Sequence, residues 1–153
     1  MAVMKPPDRF ASAPAVRRRL LGLVPVAAVA AGVSRRVLAV PDHPNRRWYD
    51  AAQSMRQLAL TWGDEPYGAV VVFDGFVAGE GPSRVIRDSN PDAHAEREAI
   101  RDAQRRLGKE DMSGAVLYST SQPCRLCEAA AARAKVSRMY FGPDLVDAGP
   151  PKP

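Results

Sequence analysis

Across residues 46–62 apolar side chains recur every three or four positions, at Trp48, Ala51, Ala52, Met55, Leu58, Ala59 and Trp62, with Arg47, Asp50, Gln53, Arg56 and Gln57 between them. That period predicts an amphipathic helix with both tryptophans on its core side. Residues 63–66, Gly-Asp-Glu-Pro, end it. The run 67–73 is β-branched and almost wholly apolar, as a strand covered on both faces should be, and Asp74-Gly75 is a two-residue hairpin signal leading into a second strand over 76–79. Residues 81–92 carry the Pro, Ser, Asp and Asn of a loop. Helical spacing resumes over 93–107, with Ala95, Ala99, Ile100, Ala103 and Leu107 inward, Arg97, Arg101, Asp102, Arg105 and Arg106 outward, Asp92 as cap and Gly108 as stop. A third strand over 115–119, an alanine-rich helix over 124–134 and a last strand over 138–141 complete the pattern before a proline-ended tail. Helix, hairpin, helix, strand, helix, strand predicts an α/β fold with a central mixed sheet.

The first 40 residues stand apart. Arg17-Arg18-Arg19-Leu20-Leu21 precedes a modestly apolar Ala/Val run that reaches Val33, the layout of a twin-arginine export leader. A basic amphipathic or flexible extension is the alternative reading. The run is shorter than the roughly twenty residues of a membrane-spanning helix, so no permanent span is expected. The chain thus divides into a leader over 1–40, a folded domain over 41–147 and a proline-rich tail over 148–153. Export implies a periplasmic or secreted product, and the alternative is a cytoplasmic one.

At 153 residues and 46% apolar composition the chain is long enough for one domain with a real core. Its net charge of +5 points at first to nucleic acid. Residues 1–40 hold seven basic side chains against Asp8, a sum of +6, which leaves −1 for the rest. The basicity belongs to the leader, and the body gives no global support for polyphosphate capture.

Only two cysteines occur, both in Pro123-Cys124-Arg125-Leu126-Cys127, thirty residues after His94-Ala95-Glu96. One imidazole and two thiolates make three ligands for Zn2+ and leave the fourth tetrahedral position open, the arithmetic of a catalytic zinc. Glu96 lies two residues beyond the histidine, placed for general acid/base work rather than ligation. Cysteines in the first turn of a helix are expected to have lowered thiol pKa values, because the helix dipole favours thiolate. Alone, each half is ambiguous, since C-x-x-C also serves thiol redox pairs and structural zinc. Together with the proline before the first cysteine they form the H-x-E…P-C-x-x-C signature of zinc nucleobase deaminases.

At this point the chain resembles the cytidine deaminase superfamily. Pro66-Tyr67-Gly68-Ala69-Val70-Val71-Val72, Asp74-Gly75, Gly79-Glu80-Gly81, Asn90-Pro91-Asp92-Ala93-His94-Ala95-Glu96 and Gln122-Pro123-Cys124-Arg125-Leu126-Cys127 carry the likeness, in the branch of guanine, cytosine and tRNA adenosine deaminases. The resemblance implies a three-layer α/β/α sandwich, zinc on His94, Cys124 and Cys127, Glu96 as proton shuttle, hydrolytic release of ammonia from a small-molecule amino-heterocycle, and a dimer or tetramer, of which a homodimer is expected here. Gly68, Ala69, Ser83, Ala95 and Ser121 are the candidate substrate contacts. Three departures concern the substrate. Ser83 stands where purine-acting relatives usually have asparagine, Arg125 and Gln122 are unusual around the cysteines, and a short tail replaces the C-terminal helical extension of many relatives. An RNA-editing deaminase and a non-catalytic zinc-binding module are the competing functions.

Overall fold

The computed structural model describes residues 43–153, so the leader lies outside the described residues. Three helices and five strands follow in the order α1 (Arg46–Thr61), β1 (Gly68–Phe73), β2 (Phe76–Pro82), α2 (Ala95–Leu107), β3 (Val116–Ser119), α3 (Arg125–Arg133), β4 (Arg138–Phe141) and β5 (Val146–Gly149). The strands form one mixed sheet in the order β2-β1-β3-β4-β5. β1 runs antiparallel to β2 and β3, β3 and β4 are parallel across the α3 crossover, and β4 is antiparallel to β5. No helix among the described residues is long and apolar enough to cross a membrane.

Alternation along the strands divides the core into two layers. Ala69 and Val71 of β1, Leu117 of β3 and Met139 of β4 face α2 and α3, where they meet Ala95, Ala99, Ile100, Ala103 and Ala131. Val70, Val72 and Tyr118 face the other way and meet Tyr49 and Ala52 of α1. Both sides of β1 are buried, which is why its sequence reads as a continuous apolar run. The hairpin turns where expected, with Asp74 and Gly75 both at positive φ (50° and 78°), the backbone hand that matches strand twist.

The tightest contact is between α2 and β2. A β-carbon on Gly79 would lie 2.2 Å from Ala99 O, and one on Gly81 would lie 2.0 Å from Ala95 O. These two glycines let the helix rest on the strand backbone, facing a row of alanines at Ala95, Ala99 and Ala103. The helix ends at Gly108 in the left-handed region (φ 63°).

Several details depart from the sequence reading. β2 continues to Pro82, because Gly81 and Pro82 keep pairing with Ala69 and Gly68. β5, four residues with little exposed-to-buried contrast, lies in what reads as tail; Arg138 pins it to β4 by pairing with Asp147 (Nη2 to Oδ2, 2.8 Å). Trp48 is half-buried against the α1-side core, but Trp62 lies at the surface under the Arg87 guanidinium, 4.1 Å from the ring centre. Asp102 turns inward, accepting from Glu80 N–H at 2.9 Å and pairing with Arg106. Asp92 does not cap α2; it pairs with Arg97.

Asp64, buried just after α1, joins this loop to the one that follows β2. Its Oδ1 accepts from Glu65 N–H (2.8 Å) and the Ser83 hydroxyl (2.9 Å), its Oδ2 from Ile86 N–H (3.1 Å) and Arg87 N–H (2.8 Å). Burial opposes the charge, yet the hydrogen bonds from Arg87, Glu65, Ser83 and Ile86 outweigh it and hold the carboxyl below its ordinary value of 3.8. Folding therefore favours the ionised form. Its contribution is complete above the ordinary carboxylate range and is lost as pH falls through the lowered folded value.

Two stability predictions follow from these contacts. Gly81→Ala should lower the urea midpoint by the equivalent of at least about 2 kcal/mol with an unchanged m-value, because the obstacle is helix backbone and not a movable side chain. Asp64→Asn should cost about 3 kcal/mol at neutral pH. Measured against wild type by denaturant unfolding across pH, that difference should shrink in acid; a pH-independent difference would show that ionisation of Asp64 contributes nothing.

Candidate metal centre and pocket

Two helix starts meet beside the end of β3. His94 is the N-cap residue of α2, with extended backbone (φ −66°, ψ 151°), and its side chain makes no capping bond. The imidazole is left available for other partners. Cys124 is the N-cap of α3, where its sulfur accepts from Cys127 N–H at 3.4 Å and so takes the part a Ser or Asp oxygen has in most caps. His94 and Cys124 therefore stand at the caps and not within the helices predicted over 93–107 and 124–134, while Cys127 keeps its place in the first turn.

His94 Nδ1 lies 3.7 Å from Cys124 Sγ and 3.5 Å from Cys127 Sγ. A tetrahedral zinc with ordinary Zn–N and Zn–S bonds holds its nitrogen and sulfur ligands about 3.6 Å apart. The donor atoms of all three residues lie within 4.8 Å of one another, and no fourth His, Cys, Asp or Glu of the described residues joins them. His43, the other histidine, instead accepts from Asn45 N–H. The residues fit zinc in number, type and spacing.

At Cys127 the expected lowering of thiol pKa is not found. Burial, reinforced by the negative charge of nearby Glu96, pushes this thiol far above its ordinary value. The residue is wholly buried, and desolvation of a thiolate there outweighs the helix dipole. Holding sulfur as thiolate at that position calls for a cation beside it.

Glu96 sits in the first turn of α2, only 4% exposed. The Ser119 hydroxyl donates to its Oε1 at 2.7 Å, and Ser121 N–H reaches back to the Ser119 oxygen at 3.4 Å. Ser119, fully buried at the end of β3, was not among the sequence candidates. The available signal was register: it lies two residues beyond Leu117 on the same core-facing side, where a polar side chain needs a partner.

A cavity of about 390 Å³ opens beside His94 and Cys124, within the range of small-ligand pockets. Ala95 and Ser121 line it with Glu96, as do Tyr67, Glu65 and Gln122. Three of the candidate substrate contacts are placed elsewhere. Ser83 is wholly buried with its hydroxyl on Asp64. Ala69 is in the α2-side core. Gly68 lies under α1, where a β-carbon would come 2.1 Å from Arg56 N, and its N–H donates to Thr120 Oγ1 at 3.1 Å. These residues shape the frame around the cavity without lining it.

Comparison with known proteins agrees with this geometry. The chain is 43% identical over 77 residues to the tRNA-specific adenosine deaminase of Agrobacterium fabrum, covering 50% of this chain and 51% of that protein. It is 36% identical over 83 residues to the guanine deaminase of Bacillus subtilis, covering 54% and 53%. The chain thus spans about half the length of these curated relatives. The solved structure of the Bacillus subtilis guanine deaminase superposes with a TM-score of 0.62 at 30% identity, covering 65% of this chain and 64% of that one. A structure from work on A-to-I editing by tRNA:A34 deaminases gives 0.61 at 36% identity, covering 63% and 70%. The family model described as the cytidine and deoxycytidylate deaminase zinc-binding region matches residues 43–143, which contain the whole histidine, glutamate and cysteine constellation, and the chain belongs to that family.

Proposed function

We propose that this protein is a zinc-dependent hydrolytic deaminase that releases ammonia from a small amino-bearing heterocycle, a free nucleobase or nucleoside, in the manner of guanine or cytosine deaminases. The observation that carries the reading is the convergence of three zinc-type donors, two of which, His94 and Cys124, line one open cavity together with a buried carboxylate. His94, Cys124 and Cys127 would hold the metal. Zinc so held supplies Lewis acidity, which makes water acidic enough to act as a nucleophile near neutral pH.

Glu96 is the proton carrier. Its carboxylate takes the proton of the attacking water and returns it to the departing amino nitrogen, so that ammonia leaves as a neutral molecule. Ser119, by holding Oε1, fixes the orientation of the carboxylate and leaves the other oxygen for the transfer. Ala95 and Ser121 supply small groups at the cavity edge, and Tyr67 offers a ring face against which a flat substrate can lie.

A second reading, tRNA adenosine-to-inosine editing, draws support from the tRNA-specific relatives. The near-neutral charge of residues 41–153 weighs against it. A non-catalytic zinc module is disfavoured by the three-donor set, since a purely structural zinc ordinarily has four protein ligands. Export through the twin-arginine route and assembly as a homodimer belong to the same proposal, supported by the leader motif at Arg17 and Arg18 and by the family resemblance respectively.

Two experiments separate these readings. Replacing Cys127 by Ser should reduce bound zinc, measured by plasma mass spectrometry, from about one per chain to near none. Glu96→Gln should keep its zinc and lose roughly 10²–10⁴-fold in ammonia release across a panel of guanine, cytosine, adenine and their nucleosides. A wild-type rate in that variant would remove Glu96 from the chemistry.

A further inference from the structure

One wall of the cavity carries a charge that the proposed chemistry does not need. Glu65 lies there, partly buried, with its backbone held on both sides: its N–H donates to Asp64 Oδ1 at 2.8 Å and its carbonyl accepts from Tyr67 N–H at 2.7 Å. Its carboxylate makes no hydrogen bond or ion pair among the described residues, although they contain nine ion pairs. Among the described residues the only other carboxylate lining the cavity is Glu96, and no lysine or arginine lines it. Arg125, next to Cys124 in sequence, is exposed at the start of α3 and is not part of the wall. Arg97, next to Glu96, lines a separate groove between α2 and α3 and pairs with Asp92.

An ionised carboxylate only accepts hydrogen bonds, so it favours a ligand that brings an N–H and disfavours one that brings another anion. A free purine or pyrimidine base carries a hydrogen on the ring nitrogen to which the sugar is joined in a nucleoside. In a nucleoside that donor is gone, and in a nucleotide it is replaced by a group bearing a phosphate. The two thiolates balance the charge of a bound zinc, so the two carboxylates leave the cavity with a negative excess, and in a partly enclosed space like-charge repulsion is less screened than in bulk water. A site that hydrogen-bonds a ligand N–H also rejects an analogue lacking it, because the acceptor is left desolvated and unpaired.

We propose that Glu65 is a specificity-determining residue, and that its unpaired carboxylate, in the wall of a cavity lined by no lysine or arginine of the described residues, selects the free base over the nucleoside and, most strongly, over the phosphorylated nucleotide. The inference rests on the deaminase reading above and narrows its substrate class. It assigns no role to Glu65 in the bond-breaking step.

The test uses the zinc-loaded full chain and two matched series: guanine, guanosine and GMP, and cytosine, cytidine and CMP. Wild type should prefer a base to its monophosphate by at least about 100-fold in kcat/KM. Glu65→Gln, which keeps the shape and removes the charge, should narrow that ratio about tenfold, and Glu65→Lys should narrow it further by raising the rate on the monophosphate. A wild-type preference for monophosphates, or the same ratio in all three proteins, overturns the proposal. If wild type releases ammonia from no member of either series, the deaminase reading fails. Calorimetric binding of the same compounds then decides the role of Glu65: a base-to-monophosphate ratio of Kd values that shifts between wild type and Glu65→Lys supports it, and an unmoved ratio, or no binding by any compound, overturns it.

Discussion

The position of the candidate centre depends on one steric fact, the absence of side chains at Gly79 and Gly81. Because α2 lies on the bare backbone of β2, its first turn is brought to a fixed height over the sheet, and Ala95 O is the atom that a β-carbon on Gly81 would strike. That turn carries His94 at the cap and Glu96 within it. α3 reaches the same place from the end of β3, through a loop tied to β1 by reciprocal bonds between Gly68 and Thr120. Two independently anchored helix starts therefore converge on one cavity, and loss of either anchor would separate the donors.

The centre is also electrostatically demanding. The thiol of Cys127 is buried beside the Glu96 carboxylate, and burial together with that neighbouring charge makes the thiolate unfavourable. The Ser119 hydroxyl donates to Glu96 and fixes that carboxylate in place. A divalent cation between the sulfurs and the imidazole would offset the cost of the thiolate, which is why a buried thiol at this position is well matched to zinc. The strain is local, while the layers around it are ordinary apolar packing of valine, alanine, leucine and methionine.

Much of this was legible in the sequence, because it rests on short-range patterns. Helical and strand periods located α1, α2, α3 and β1, Asp74-Gly75 marked the hairpin, and the spacing of His94, Glu96, Cys124 and Cys127 named the donors that the fold assembles. What escaped depends on long-range partners. β5 has little alternation of its own and exists by pairing with β4. Ser83 reads as a pocket residue until Asp64, nineteen positions away, is seen to hold it. Trp62 has the spacing of a core residue, yet it lies at the C-terminal end of α1, where the sheet no longer covers it and Arg87 does. The pKa of Cys127 went opposite to the local rule because burial is a property of the whole fold, whereas the dipole belongs to one helix.

Asp64 and Glu65 are neighbours with divided duties. The side chain of Asp64 joins two loops through four hydrogen bonds. Among the described residues Glu65 makes its hydrogen bonds through its backbone alone, and it lines the cavity. Such a position is open to evolutionary change: its side chain can be exchanged while the bonds that support the loop persist, because those bonds belong to atoms every residue but proline possesses. The pair offers a physical route by which related chains sharing one metal centre and one frame can diverge in the molecules they accept, through single substitutions that leave stability nearly untouched.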